Sequence, residues 1–343
     1  MREQGVWALA WKRFRRDRLG FASLIVVLVY VAIMLGAAAG WLGRDWNAEA
    51  GVSFAPPTFL GPEAVESPQL AKAAEGAQAV ADYGIADPLA PDLTEIAKTL
   101  SGASTTSARA VTLPLGGDKW GRDVLKKVLK GTQTSLVVGL SAAALAAFLG
   151  TLFGALAGFR GGWVDDFFNW LYSVFTSIPS ILLVFALAAV LRSGPLGHVF
   201  ASGIWTVVII LAVTGWTGMY RLVRAEYMKH REREYVLAAQ AIGASAASRM
   251  FVHILPNVSH VILVQLSLLV VAFIKVEVIL SFLGLGVPLD MVSWGTMLSE
   301  AQTELIIGKW WQLTAATVFM AIFLTAFSML TDSLRDALDP KLR

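Results

Sequence analysis

Cysteine is absent from the 343 residues. That excludes disulfides, thiolate metal sites and a thiol nucleophile, and leaves the redox compartment open. Charge is scarce too. Asp, Glu, Lys and Arg make up 15% of the chain, against about 25% in a soluble domain. The net charge is only +3, and no basic patch is interleaved with aromatics, which argues against nucleic-acid binding. The histidines His198, His230, His253 and His260 are scattered, with no H-E-x-x-H, so no metal site is expected. No G-x-x-x-x-G-K-[ST] occurs, so this chain carries no P-loop for ATP. The apolar runs hold no paired carboxylates, Ser/Lys pair or histidine cluster, which leaves little room for an intramembrane enzyme, and no cofactor is expected.

What is abundant is apolar sequence. Hydrophobic residues make up 56% of the chain, in several runs long enough to cross a bilayer. The expected class is all-α, a polytopic membrane protein with six transmembrane helices and an extracytoplasmic insert.

Residues 1–18 are basic, with Lys12, Arg13, Arg15, Arg16 and Arg18 ahead of the first apolar run at 19–42. That run exceeds a signal-peptide core in length and reads as an uncleaved first span. Residues 43–110 are broken by prolines and, between Arg44 and Ala108, hold nine acidic residues against three basic ones. They read as a soluble insert, either a small cap over a pathway or a poorly ordered loop, with helical patches plausible at 68–80 and 91–100. The core at 111–343 opens with LPLGGDKWGRDVLKKVLKGTQ, a double glycine leading to a helix from about Arg122. Lys126, Lys127 and Lys130 on that helix are expected at a solvated interface.

The second span covers about 134–159, with Gly150, Gly154 and Gly158 on one helix face, a stripe that lets another helix approach closely. The third covers about 167–191 with a kink at Pro179, the fourth 203–223, the fifth 256–283 and the sixth 310–330. Lys275 and Glu277 lie in the fifth. Charges at membrane depth are costly and face a bundle interior or water, so both are pathway candidates. Two residues apart on a helix, they do not face the same way. Snorkelling or pairing with another helix is a stronger expectation for each than substrate contact.

Between the fourth and fifth spans lies a mixed stretch, EYVLAAQAIGASAASRMFVHILPN at 234–257. A helix-forming set precedes Gly243, Ser245 is a good helix cap, and a second short amphipathic run leads to Pro256. The reading is helix, glycine turn, helix, held at a membrane surface by spans on both sides. Spacing alone leaves an ordinary amphipathic loop equally open.

This stretch resembles the signature loop of ABC importer permeases, Glu-Ala-Ala-x3-Gly-x9-Ile-x-Leu-Pro. Ala238, Ala239, Gly243, Leu255 and Pro256 fall in register. Leu237 departs from the motif's Glu, and His253 from its Ile. Glu234 and Tyr235, with Val236, stand where the peptide branch writes Glu-Tyr-Val, and His253 where it writes His. Three further patterns resemble that branch: Gly116, Asp118, Gly121, Arg122 and Asp123 near the start of the core; Glu277 ahead of Leu-Ser-Phe-Leu-Gly-Leu-Gly; and Leu-Arg-Asp-Ala-Leu-Asp-Pro at the end. Gly117 replaces the usual Thr, Lys275 is outside the pattern, and the insert is larger than the branch implies. The resemblance is to the peptide, nickel and opine importer permeases, of the dipeptide and oligopeptide permease C type, loosely over 1–42 and well over 111–343.

The resemblance implies a permease subunit that forms half of a translocation pathway for peptides or related small solutes. It implies four partners: a second homologous permease, two ATPase subunits that would carry the ATP hydrolysis, and an extracytoplasmic binding protein. It also implies that Glu234, Tyr235, Ala238, Ala239, Gly243, His253, Leu255 and Pro256, within the loop 224–256, couple to an ATPase. Charge supports a topology: residues 1–18 and 221–256 each carry six Lys or Arg, while 192–202 and 287–309 carry one each. The positive-inside rule then puts both termini and the signature loop on the cytoplasmic side, and the resemblance implies a cell inner membrane. A different class, an ion-coupled secondary transporter, would show internal repeat symmetry, and no such repeat is visible.

Overall fold

A computed structural model describes residues 14–62, 109–193, 203–288 and 290–338. Among the described residues the helices are, in order, α1 (Arg18–Ala38), α2 (Val124–Arg160), α3 (Gly162–Thr176), α4 (Ser180–Ser193), α5 (Ile204–Arg231), α6 (Glu234–Ala241), α7 (Ala246–Ser248), α8 (Leu255–Phe282), α9 (Trp294–Ile306) and α10 (Trp311–Leu338). A π-helical turn, Arg249–Ile254, joins α7 to α8. Among the described residues, α1, α2, α5, the run Ala246–Phe282 and α10 are long and apolar enough to cross a membrane. A sixth span results if α3 and α4 form one broken span.

The chain divides into two compact units, one of Met1–Trp46 with Leu125–Arg343, the other Asn47–Val124. The second unit draws 111–124 in with the edges of the insert. Its described part has only isolated bridges, among them Glu49 with Arg122 and Pro57 with Leu113. The Gly-Gly-Asp-Lys-Trp-Gly-Arg-Asp motif is a turn, not a helix start. Buried Asp118 accepts from the amides of Trp120 and Arg122, each at 2.9 Å. Gly121 has φ +76°, and a Cβ there would sit 2.1 Å from the Gly51 carbonyl oxygen. The helix therefore begins at Val124. The helical patches expected at 68–80 and 91–100 lie outside the described residues.

In the first unit, α1 packs along α10. Asp17 caps α1, accepting from Leu19 N at 3.0 Å and from the Ser333 hydroxyl at 2.5 Å. That hydroxyl, with the nearby backbone amides, holds the Asp17 carboxyl below its ordinary pKa. Further along, Tyr30 donates to the Phe319 carbonyl at 2.8 Å and packs against Trp294 and Phe323.

The glycine stripe on α2 is filled by α5. Added Cβ atoms at Gly150, Gly154 and Gly158 would lie 2.6, 2.7 and 2.5 Å from the backbone oxygens of Trp216, Tyr220 and Arg224. The two backbones touch because no side chain separates them.

Three sequence expectations change. The third span is not one kinked helix: α3 and α4 are bent 89° from each other. Pro179 has no N–H and keeps Ile178 out of the α conformation, so α3 stops and α4 restarts after it. The second run of the signature loop does not end at Pro256. The wider π turn sits just ahead of the proline, where an α-turn would meet its ring and a missing hydrogen bond, and the helix continues to Phe282. Finally, Lys127 is not solvated. It is 1% exposed and donates to Glu300 Oε2 at 2.5 Å and Gln312 Oε1 at 3.0 Å, joining α2 to α9 and α10.

Candidate functional site: the helix-turn-helix loop

The end of α5 sets the loop. Buried Tyr227 donates to the Met250 carbonyl at 3.2 Å, and the His230 ring pairs with the Tyr235 hydroxyl at 2.8 Å. Helix α6 then packs against the π turn and the end of α5. Val236 and Ala239 are buried, as are Met250 and Ile254 of the π turn, so one edge of the loop is pinned to the protein.

Gly243 ends α6 at φ +91°. Its amide bonds to Gln240 O at 3.0 Å and that of Ala244 to Ala239 O at 2.9 Å, a paired closure that requires a left-handed residue. A side chain there would find open space but a strained backbone. Ser245 restarts the helix, accepting from Ser248 N at 3.2 Å. Arg249 reaches Gln240 across the turn and lies over the Phe159 ring of α2, 5.3 Å from its centroid. Asn257 donates to the His253 carbonyl at 2.7 Å.

The other edge is open. Ile242 is 86% exposed, Val252 64% and Leu237 52%. Glu234, Tyr235, Ala238 and Pro256 are exposed as well, while His253 and Leu255 are half-buried. The loop thus presents apolar side chains around a glycine turn, with little relief at Ala238 and Gly243.

Two ties hold α5, and with it the loop. Arg224 grips Asp165 of α3 with two parallel bonds, 2.5 and 2.6 Å, a geometry specific to a guanidinium and a carboxylate. Tyr220 donates to Asn169 at 3.2 Å. Sequence reading does not pair Asp165 with Arg224, since 59 residues separate them and no local spacing joins them.

Glu277 and Lys275 point apart. Glu277 is fully buried, and its two oxygens accept from Ser135 of α2 at 2.9 Å and Ser281 at 2.7 Å. The same hydroxyls accept from Trp294 N and Val287 N, so this carboxyl ties α2, α8 and the start of α9. Lys275 is exposed and, with Asp332 of α10, lines a cavity of about 540 Å³. Among the described residues no group of three or more His, Asp or Glu is placed to hold a metal.

The model of the binding-protein-dependent transport system inner membrane component matches residues 150–343. The chain belongs to that family. The model of the N-terminal transmembrane domain of oligopeptide transport permease C matches residues 5–57. The oligopeptide transport system permease protein OppC of Bacillus subtilis is 37% identical over 246 residues, 70% of this permease and 77% of the relative. The dipeptide transport system permease protein DppC of the same organism is 38% identical over 228 residues, 66% and 68% of the two chains. The glutathione transport system permease protein GsiD of Pectobacterium atrosepticum is 36% identical over 231 residues, 67% and 73%. These relatives support a permease and not an ion-coupled secondary transporter.

Proposed function

We propose that this permease is one half of an ATP-driven importer for peptides or related small solutes, and that the loop from Glu234 to Pro256 is where an ATPase subunit seats. The observation that carries the reading is the split character of the loop. Val236, Ala239, Met250 and Ile254 anchor it, while Leu237, Ile242 and Val252 stay uncovered. An exposed apolar patch of that kind, rimmed by polar residues, marks an interaction site. The loop is basic-flanked, which supports a cytoplasmic position under the positive-inside rule. The pathway would be completed by a second homologous permease, with two ATPases below and a soluble binding protein delivering solute from outside the inner membrane. Both termini are cytoplasmic in this arrangement, and ATP hydrolysis belongs to the ATPase subunits.

Replacing Gly243 tests the seat. A side chain at its φ of +91° costs on the order of 1 kcal/mol, which a multi-span bundle survives. The same side chain projects from the uncovered face, where overpacking costs roughly 1–3 kcal/mol and weakens docking by about ten- to a hundredfold. Gly243→Asp or Gly243→Val should reach the membrane at normal levels, retain less ATPase on the purified complex and import little or nothing. Normal ATPase retention together with normal uptake would remove the loop from its assigned role.

A further inference from the structure

A second cavity, of about 280 Å³, opens between α2, the start of α5 and the segment ahead of α9. Lys130 and Gln133 line it from α2, Asp290 and Met291 from that segment, and Trp46 from the chain following α1. Its volume is near the small end of ligand pockets, about 300–1,000 Å³.

Lys130 is the unusual group. Its half-buried ammonium donates to Gln133 Oε1 at 2.6 Å and, more weakly, to the Ala37 carbonyl at 3.4 Å. Both acceptors are neutral, and no carboxylate among the described residues is within ion-pair distance. Lys127, one turn earlier, has Glu300 at 2.5 Å. So the same helix carries one neutralised lysine and one whose charge faces a cavity. An ammonium partly withdrawn from water favours an anionic partner. Asp290 lines the same space without pairing to Lys130, so the cavity presents a cation and an anion held apart.

We propose that this cavity binds a small zwitterion, with Lys130 receiving its carboxylate and Asp290 facing its amine. Placing the cavity on the outer side of the membrane, where solute arrives, rests on the proposed importer; the binding itself does not. The opposed charges separate this site from a lipid-phosphate site, which would gain nothing from Asp290.

The test uses the assembled complex in nanodiscs of neutral lipid. Lysines are acetylated with a limiting anhydride and the labelling rate of Lys130 is read by mass spectrometry. Dialanine should slow labelling of Lys130 at least threefold and leave Lys126 unchanged. Dialanine amide, which lacks the carboxylate, should give no protection. Asp290→Asn should weaken protection by dialanine while leaving that by acetate intact. Absence of protection by both dialanine and acetate overturns the site, as does equal protection by the amide. Protection by inorganic phosphate or by anionic lipid in the nanodisc, without any by dialanine, replaces the zwitterion with a headgroup phosphate. Because labelling needs no transport, these outcomes are independent of whether the complex imports.

Discussion

Glu277 and Lys275 stand two residues apart and have different surroundings. Glu277 is enclosed, and both of its oxygens are met by serine hydroxyls. Glu277→Gln turns one acceptor oxygen into a donor inside a network built to donate to it. Leaving buried polar groups mismatched costs about 1–3 kcal/mol, so the variant should lower the melting temperature of the assembled complex and its uptake together. Lys275 sits on the open face of α8 beside a cavity. Lys275→Leu should leave assembly intact and change uptake less than about tenfold, equivalent to roughly 1.4 kcal/mol. Loss of all uptake with normal assembly would instead make Lys275 a pathway residue. Their divergence was legible in the sequence, because helical geometry separates neighbours two apart. Their partners were not. Ser135 is 142 residues from Glu277, and nothing in either segment announces the pairing. Lys127 shows the same limit: three lysines on one helix read alike until α9 arrives with Glu300.

Helices α2 and α5 show what periodicity does reveal. Three glycines at four-residue spacing predicted a close approach, and α5 makes it. The contact is backbone on side-chain-free backbone, so it has no slack. Gly154→Leu must push the Tyr220 carbonyl away from a Cβ that would start 2.7 Å from it. Overpacking of this kind costs about 1–3 kcal/mol or more. Gly218, also helical, is the control, since the nearest atom to an added Cβ is Gln265 Nε2 at 3.6 Å. Gly154→Leu should sharply reduce the fraction of chain recovered in the detergent-stable complex, and Gly218→Ala should leave it unchanged or slightly raised. Equal recovery of the two would mean the stripe is not a packing surface. The break between α3 and α4 was half legible. Pro179 marked the place, but the 89° angle depends on what neighbouring helices accept, which a local signal does not carry.

Sidedness belongs to the chain as a whole. The described helices supply five spans, or six with the broken pair, and the basic flanks supply a direction. Reporter fusions after Leu42, Arg160, Ser193, Lys229, Gly308 and Arg343 should read outside, inside, outside, inside, outside and inside. An inside reading at Ser193 would make α3 and α4 a re-entrant hairpin, and a cytoplasmic 43–110 would invert the arrangement. Apolar runs made the number of spans readable, because the bilayer imposes length; the charge bias supplies the sign that the fusions test. The loop's register was readable through its glycine and proline. Its continuity into α8 was not.

That continuity has a mechanical consequence. From Ala246 to Phe282 the chain is one rod of 37 residues, about 55 Å long at 1.5 Å per residue. A torque applied beside Gly243 has no hinge in which to dissipate except the π turn. Tilting such a rod by about 10° about its midpoint displaces each end by about 5 Å, an estimate from the same rise per residue. The far end carries Glu277 and its serine contacts, so a small rocking at the loop becomes a shear across that network.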